Sequence, residues 1–130
     1  MNDEGGRMNG KPRDIGERTK AFALRIIRLY VSLPKTTEAQ VIGKQVLRSG
    51  TSVGAHVREG KRSRSDAELI SKIEGGLQEL EETVYWLELL VGADIVKYDR
   101  MKELLEECDE LIAIMVTSAK NQKIKKRAKS

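Results

Sequence analysis

The chain has 130 residues, 39% hydrophobic and 34% charged, with a formal net charge of +4; this suits one domain with its own core and is too short for two. Two prolines, five aromatics and a single cysteine exclude a turn-rich all-β protein, a disulfide scaffold and a zinc site, while the content of Leu, Ile, Val, Lys and Glu favours helices. The longest apolar run, Leu111 to Val116, is far shorter than a membrane span, and the opening MNDEGGRMNG contains no apolar signal segment, so a cytoplasmic protein is expected.

In chain order, residues 1–13 mix Gly, Asn, Asp and Arg with little apolar content, which predicts a disordered lead-in. Ile15, Thr19, Phe22, Ile26, Leu29 and Leu33 alternate spacings of four and three along one helical seam, and Pro34 ends it. Thr37 followed by Gln40 predicts a capping box for a second helix with an unusually small inner seam of Ile42, Val46, Ser49, Val53, His56 and Gly60. Ser65 with Glu68 predicts the cap of a third helix, in which Ile70, Ile73, Leu77, Leu80, Val84, Leu87 and Val91 hold the same period as far as Gly92. Asp99 is a suitable cap for a fourth, with Met101, Leu105, Cys108, Ile112, Met115 and Ala119 facing inward. Four such helices with short connections predict an all-α, antiparallel, up-down-up-down four-helix bundle over 14–119, followed by a basic flexible tail at 120–130.

Charge is segregated along this pattern. Residues 43–64 carry six basic groups and one acidic, 65–110 carry fourteen acidic and four basic, and 111–130 carry six basic and none acidic. Positive clusters attract phosphate irrespective of sequence. The candidate nucleic-acid contacts are therefore Arg48, Arg58, Lys61, Arg62 and Arg64, together with Lys120, Lys123, Lys125, Lys126, Arg127 and Lys129 of the tail. No aromatics are interleaved with them to stack on bases, so sequence-specific readout is not expected. The same charges could instead pair with Glu81, Glu82, Glu88 or Glu103 within the protein.

Once the seams are assigned to the core, a second apolar stripe remains at Leu24, Ile27 and Val31 and another at Tyr85, Trp86, Leu89 and Leu90, of which a wide core would absorb Leu90. Such patches mark interfaces, and Leu24, Ile27, Val31, Tyr85, Trp86 and Leu89 are the candidate self-association surface.

Gly50-Thr51-Ser52-Val53-Gly54 matches the G-x-S-x-G pattern of a nucleophile elbow, with His56 close by. That motif needs a strand-to-helix turn, whereas the periodicity here is helical, so small residues at a close helix crossing explain it better. Gly54 to Lys61 fails the phosphate-loop spacing, and one histidine cannot supply the paired Glu-x-x-His motifs of a di-metal bundle. His56 is expected to be a hydrogen-bonded core group and Cys108 a buried structural thiol. Gly75-Gly76 inside the third helix implies a close backbone approach. No catalytic residue, metal or cofactor is expected.

The stretch from Leu33 to Ser65, with FALRIIRLY before it and LQELEETVYWLELL after it, resembles the bacterial four-helix-bundle family of 23S rRNA intervening-sequence proteins over about residues 14–118. Its most specific pieces are Leu33-Pro34, the run from Arg48 to Ala55, Arg58-Glu59 and the run from Glu82 to Leu87. The resemblance implies a small cytosolic bundle that assembles as a homopentameric ring and is not an enzyme. Members are encoded within insertions in ribosomal RNA genes, and related pentameric bundles serve retroelements by contacting a reverse transcriptase and nucleic acid. His56 and Gly60 depart from the Asn and Ala that the family pattern implies. The function so expected is a nucleic-acid-binding or ribonucleoprotein assembly module. The alternative is a protein-binding scaffold ring, presenting the acidic faces of helices 3 and 4, with no direct nucleic-acid contact.

Overall fold

The computed structural model describes residues 7–8, 11–12 and 14–129. Arg7–Met8 pairs antiparallel with Lys11–Pro12; the rest of the segment expected to be a disordered lead-in lies outside the described residues. Four helices follow: α1 (Ile15–Ser32), α2 (Thr37–Gly60), α3 (Asp66–Gly92) and α4 (Tyr98–Lys129). Each connection is short, which forces neighbours to run antiparallel. The contacts agree: Gly54 lies against Thr19 and Gly43 against Tyr30 in the α1–α2 pair, and Arg48 reaches Glu79 while Lys72 reaches Glu59 across α2–α3. In the α3–α4 pair Lys123 meets Glu74 and Lys129 meets Asp66.

Helix starts follow from side-chain caps on otherwise unsatisfied amides. Asp14 accepts from the Glu17 amide, and Ser65 from the Glu68 amide at 3.1 Å. Glu68 does not complete the expected box; its carboxylate accepts from the Arg64 amide instead. The cap of α2 is Thr36 and not the expected Thr37, because Gln40 is held by Tyr30 and by the Pro34 carbonyl and so fixes the turn one residue earlier. Asp94, in the α3–α4 turn, takes a left-handed φ of 61°.

Phe22, Ile26, Val46, Val53, Leu80, Leu87, Leu90, Met101, Cys108 and Leu111 fill the core. The centre of the bundle is the α2–α3 pair, with α1 packed on α2 and α4 on α3; α1 and α4 meet only sparsely, leaving an open seam. On α3 the buried face is turned from the expected one. Gly76, Thr83 and Leu90 are buried, whereas Ile73, Leu77, Val84 and Val91 sit half-buried at its margin. The reason is the close approach of α2, which only small residues permit: Thr83 Oγ1 donates to Ser49 Oγ at 2.8 Å, and Ser49 in turn donates to the Gln45 carbonyl. The last helix also departs from expectation. It continues unbroken through the basic segment from 120 to Lys129, because Lys123 and Lys129 pair with carboxylates of α3 along its length.

Candidate nucleic-acid and assembly surfaces

Antiparallel pairing returns the end of α4 to the start of α3, beside the α2–α3 turn. Two basic clusters some sixty positions apart in sequence thereby meet at one end of the bundle, with Lys61, Arg64 and Lys129 lining a common cavity of about 810 Å³. Lys129 lies 2.9 Å from the Asp66 carboxylate and holds it below its ordinary value, with Lys125 and Lys126 adding a weaker field; burial opposes the shift. Lys61 lies 3.9 Å from Asp14 and Lys123 2.6 Å from Glu74. Arg58, Arg62, Arg64, Lys120, Lys125 and Arg127 form no side-chain ion pair among the described residues, so their charges remain available to a polyanion.

Arg48 is placed elsewhere. Its guanidinium turns onto α3, 3.3 Å from Glu79 and in direct contact with Glu82, which also accepts the Trp86 indole N–H at 2.9 Å. It is thus one strut of the α2–α3 contact, remote from the basic end.

The apolar stripes form two separate strips. Leu24, Ile27 and Val31 are 45%, 41% and 69% exposed along α1, and Tyr85 is 54% exposed on α3, where its ring meets Trp86 edge-on. Trp86 and Leu89 are half-buried, and Leu90 belongs to the core. The helices carrying the strips, α1 and α3, are not neighbours in the bundle; each packs on α2. The sequence stripes did not include Val41, Ile114, Val116 and Ile124, which are also exposed; Ile114 and Val116 belong to the longest apolar run, and only packing reveals which of its members face outward.

The residues that imitate catalytic motifs have structural roles. Gly50-Thr51-Ser52-Val53-Gly54 lies within α2, and Ser52 Oγ donates to the Arg48 carbonyl at 2.7 Å. A side chain at Gly50 would begin 2.8 Å from Ile26, so this glycine lets α1 approach. His56 packs its ring on Gly75, 2.9 Å from where a Cβ would stand, and a Cβ at Gly76 would begin 2.7 Å from the Met115 methyl and 3.3 Å from His56 Cβ. That is the close approach expected of the glycine pair. The hydrogen-bonded core role expected for His56 is not found: its Nδ1 is buried with no partner, and packing on Gly75 orients the ring instead. Ser63 Oγ, nearby, is likewise buried and unpartnered. Burial pushes the Cys108 thiol up to about 12, removing the thiolate at neutral pH. Among the described residues no three His, Cys, Asp or Glu side chains converge as metal ligands, and no helix is long and apolar enough to cross a membrane.

Residues 13–117 match the family model described as 23S rRNA-intervening sequence protein. A solved structure from Bacteroides thetaiotaomicron VPI-5482, a protein of unknown function from the S23 ribosomal protein family, is 34% identical, with a TM-score of 0.78. The similarity covers 82% of this chain and 99% of that one. No curated protein matches the chain significantly.

Proposed function

From the premise that this chain belongs to the 23S rRNA-intervening sequence protein family, we propose that it is a non-enzymatic, cytoplasmic assembly module, a homo-oligomeric ring of five four-helix bundles that contacts RNA through phosphate. The observation that carries the assembly is the pair of separate apolar strips. A self-complementary dimer needs one patch, whereas two different patches on helices that are not neighbours suit a head-to-tail contact, in which the α1 strip of one subunit meets the α3 strip of the next. Such a contact closes into a ring when its rotation divides the circle. A ring multiplies the basic end by its subunit number, so modest phosphate attraction per subunit becomes avid.

Light scattering tests the assembly: Trp86→Ala and Ile27→Asp should each lower the oligomeric state with helical content kept, and a wild-type monomer at micromolar concentration ends the ring reading. Anisotropy titration with a single-stranded RNA at two salt concentrations tests the contact. Replacing Lys120, Lys125 and Arg127 with Gln leaves the two α3 pairs of the tail intact and should weaken binding and flatten its salt dependence. An intact protein that binds no RNA even at low salt favours the second reading, a scaffold ring that presents Glu81, Glu88, Glu103, Glu106 and Asp109 to a basic protein partner. These five carboxylates make no ion pair among the described residues.

A further inference from the structure

The end of the bundle opposite the basic tail holds a second cavity, of about 480 Å³, between the last turns of α1 and the first turn of α4. Its charged lining is entirely arginine. Arg25 and Arg28 come from α1 and Arg100 from α4, and no carboxylate lines the space. The contrast with the rest of the same seam is sharp. Two turns earlier on α1, Arg18 crosses to α4 and finds Glu107 at 2.6 Å and Glu110 at 2.9 Å. Arg25, the next position on that face, makes no ion pair with any described residue, nor do Arg28 and Arg100.

Three guanidinium groups around one cavity repel each other, and Arg100 stands in the first turn of α4, where the helix dipole already disfavours a cation. An anion in the cavity reverses both effects. The forked guanidinium matches the oxygens of phosphate two at a time, and three of them balance a phosphate monoester, which carries nearly two negative charges at neutral pH. Ser32 also lines the space, its hydroxyl donated to the Leu29 carbonyl, and the other walls, Leu29, Leu33, Pro34, Ile95 and Val96 among them, are apolar surface suited to the organic body of the ligand and not to a bare ion. The volume lies within the range of small-molecule sites.

We infer that this arginine-lined cavity binds a phosphate monoester attached to a compact apolar or heterocyclic group. The site is distinct from the basic end and does not depend on the RNA reading. The same chemistry is offered by a free nucleotide and by the 5′-phosphate end of an RNA, and the two are separable by experiment.

Calorimetric titration of the full chain at low salt, with adenosine 5′-monophosphate and with adenosine, is the direct test. The monophosphate should bind and the nucleoside should not. Arg25→Gln and Arg100→Gln should each weaken binding by about tenfold or more, the loss of a charge-assisted hydrogen-bond pair. Arg58→Gln, at the other end, should change it less than about twofold. Arg100 is exposed, so its replacement leaves the core untouched and circular dichroism should be unchanged. A 5′-phosphorylated trinucleotide that outcompetes the mononucleotide assigns the site to an RNA end; one that competes more weakly assigns it to a free nucleotide. The inference is overturned if neither phosphate ligand binds at millimolar concentration, if adenosine binds equally well, or if Arg58→Gln costs as much as Arg100→Gln.

Discussion

Where α2 meets its neighbours, glycine backbone lies against side chains, at Gly50 beside Ile26 and at Gly75 beside His56, and the buried Thr83 hydroxyl donates to that of Ser49. Where α1 meets α4, the helices stand apart and long side chains span the gap, with Arg18 on Glu107 and Glu110 and, further along, the unpaired Arg25, Arg28 and Arg100. The first contact is set by shape: a Cβ added at Gly43, Gly50 or Gly75 would begin less than 3.0 Å from a neighbouring side chain. The second is set by charge, and it leaves room. Specificity of the fold therefore belongs to α2, and the α1–α4 seam keeps the room in which the arginine-lined cavity lies.

The largest test of that contrast is Gly50→Leu. Leucine gains up to about 1 kcal/mol of helix propensity over glycine, but its Cβ would begin 2.8 Å from the fully buried, branched Ile26. Overpacking of this kind costs roughly 1–3 kcal/mol or more, so urea unfolding at fixed protein concentration should show a net loss. Unchanged stability would break the view that shape governs α2. Next in size is Arg18→Ala on the charged seam. The side chains of Arg18 and Glu107 are only 16% and 18% exposed, and loss of the pair should cost about 1–2 kcal/mol, between the values for exposed pairs and for fully buried charged hydrogen bonds. A charge-reversed double variant, Arg18→Glu with Glu107→Arg, should recover part of it. Thr83→Val, nearly isosteric, should cost about 1 kcal/mol, since it removes the hydroxyl proton shared between Ser49 and the Glu79 carbonyl while Ser49 keeps its bond to Gln45.

The smallest effect is in acid. Hydrogen bonds from Lys129 and from Lys72 hold Asp66 and Glu59 below their ordinary values of 3.8 and 4.5. Groups lowered in the folded state contribute stability above the ordinary value and lose it as pH falls through the folded one. Stability should therefore show no step from these two between about pH 5 and 8 and a shallow decline below that range. Lys129→Ala should lower stability slightly at neutral pH and leave it unchanged in strong acid, so that the decline flattens.

Much of this architecture was legible in the sequence because apolar periodicity reports it directly. The inward seam of α1 and the ends of α1 and α3 follow from Phe22, Ile26, Pro34 and Gly92, and Met101, Cys108, Met115 and Ala119 hold the seam of α4, where Leu104 and Leu111 are buried in place of Leu105 and Ile112. On α3 the buried Ile70, Leu80 and Leu87 follow the period, but the burial of Gly76 and Thr83 does not, since the closeness of α2 covers them and neither looks apolar in a pattern. The end of α4 was missed because a run of lysines reads as a solvated tail until Glu74 and Asp66 are seen to run alongside it. The two apolar stripes were visible, yet their separation by α2 is a three-dimensional fact. The convergence of Lys61 and Arg64 with Lys129 is another, and so is that of Arg25 and Arg28 with Arg100: no spacing rule links residues on helices that meet only after the chain has turned back.

The position of Trp86 has a practical consequence. It is the only tryptophan in the chain, it stands at the edge of the α3 apolar strip, and its indole donates to the carboxylate that also holds Arg48. One chromophore thus looks toward the strip and also touches the α2–α3 strut. Water leaving the strip on subunit contact would shift its emission to the blue, while release of Glu82 would alter quenching by the neighbouring carboxylate. If the strips meet between subunits, the unlabelled protein carries its own optical gauge, able to follow dissociation on dilution and to tell it from internal loosening by colour against brightness.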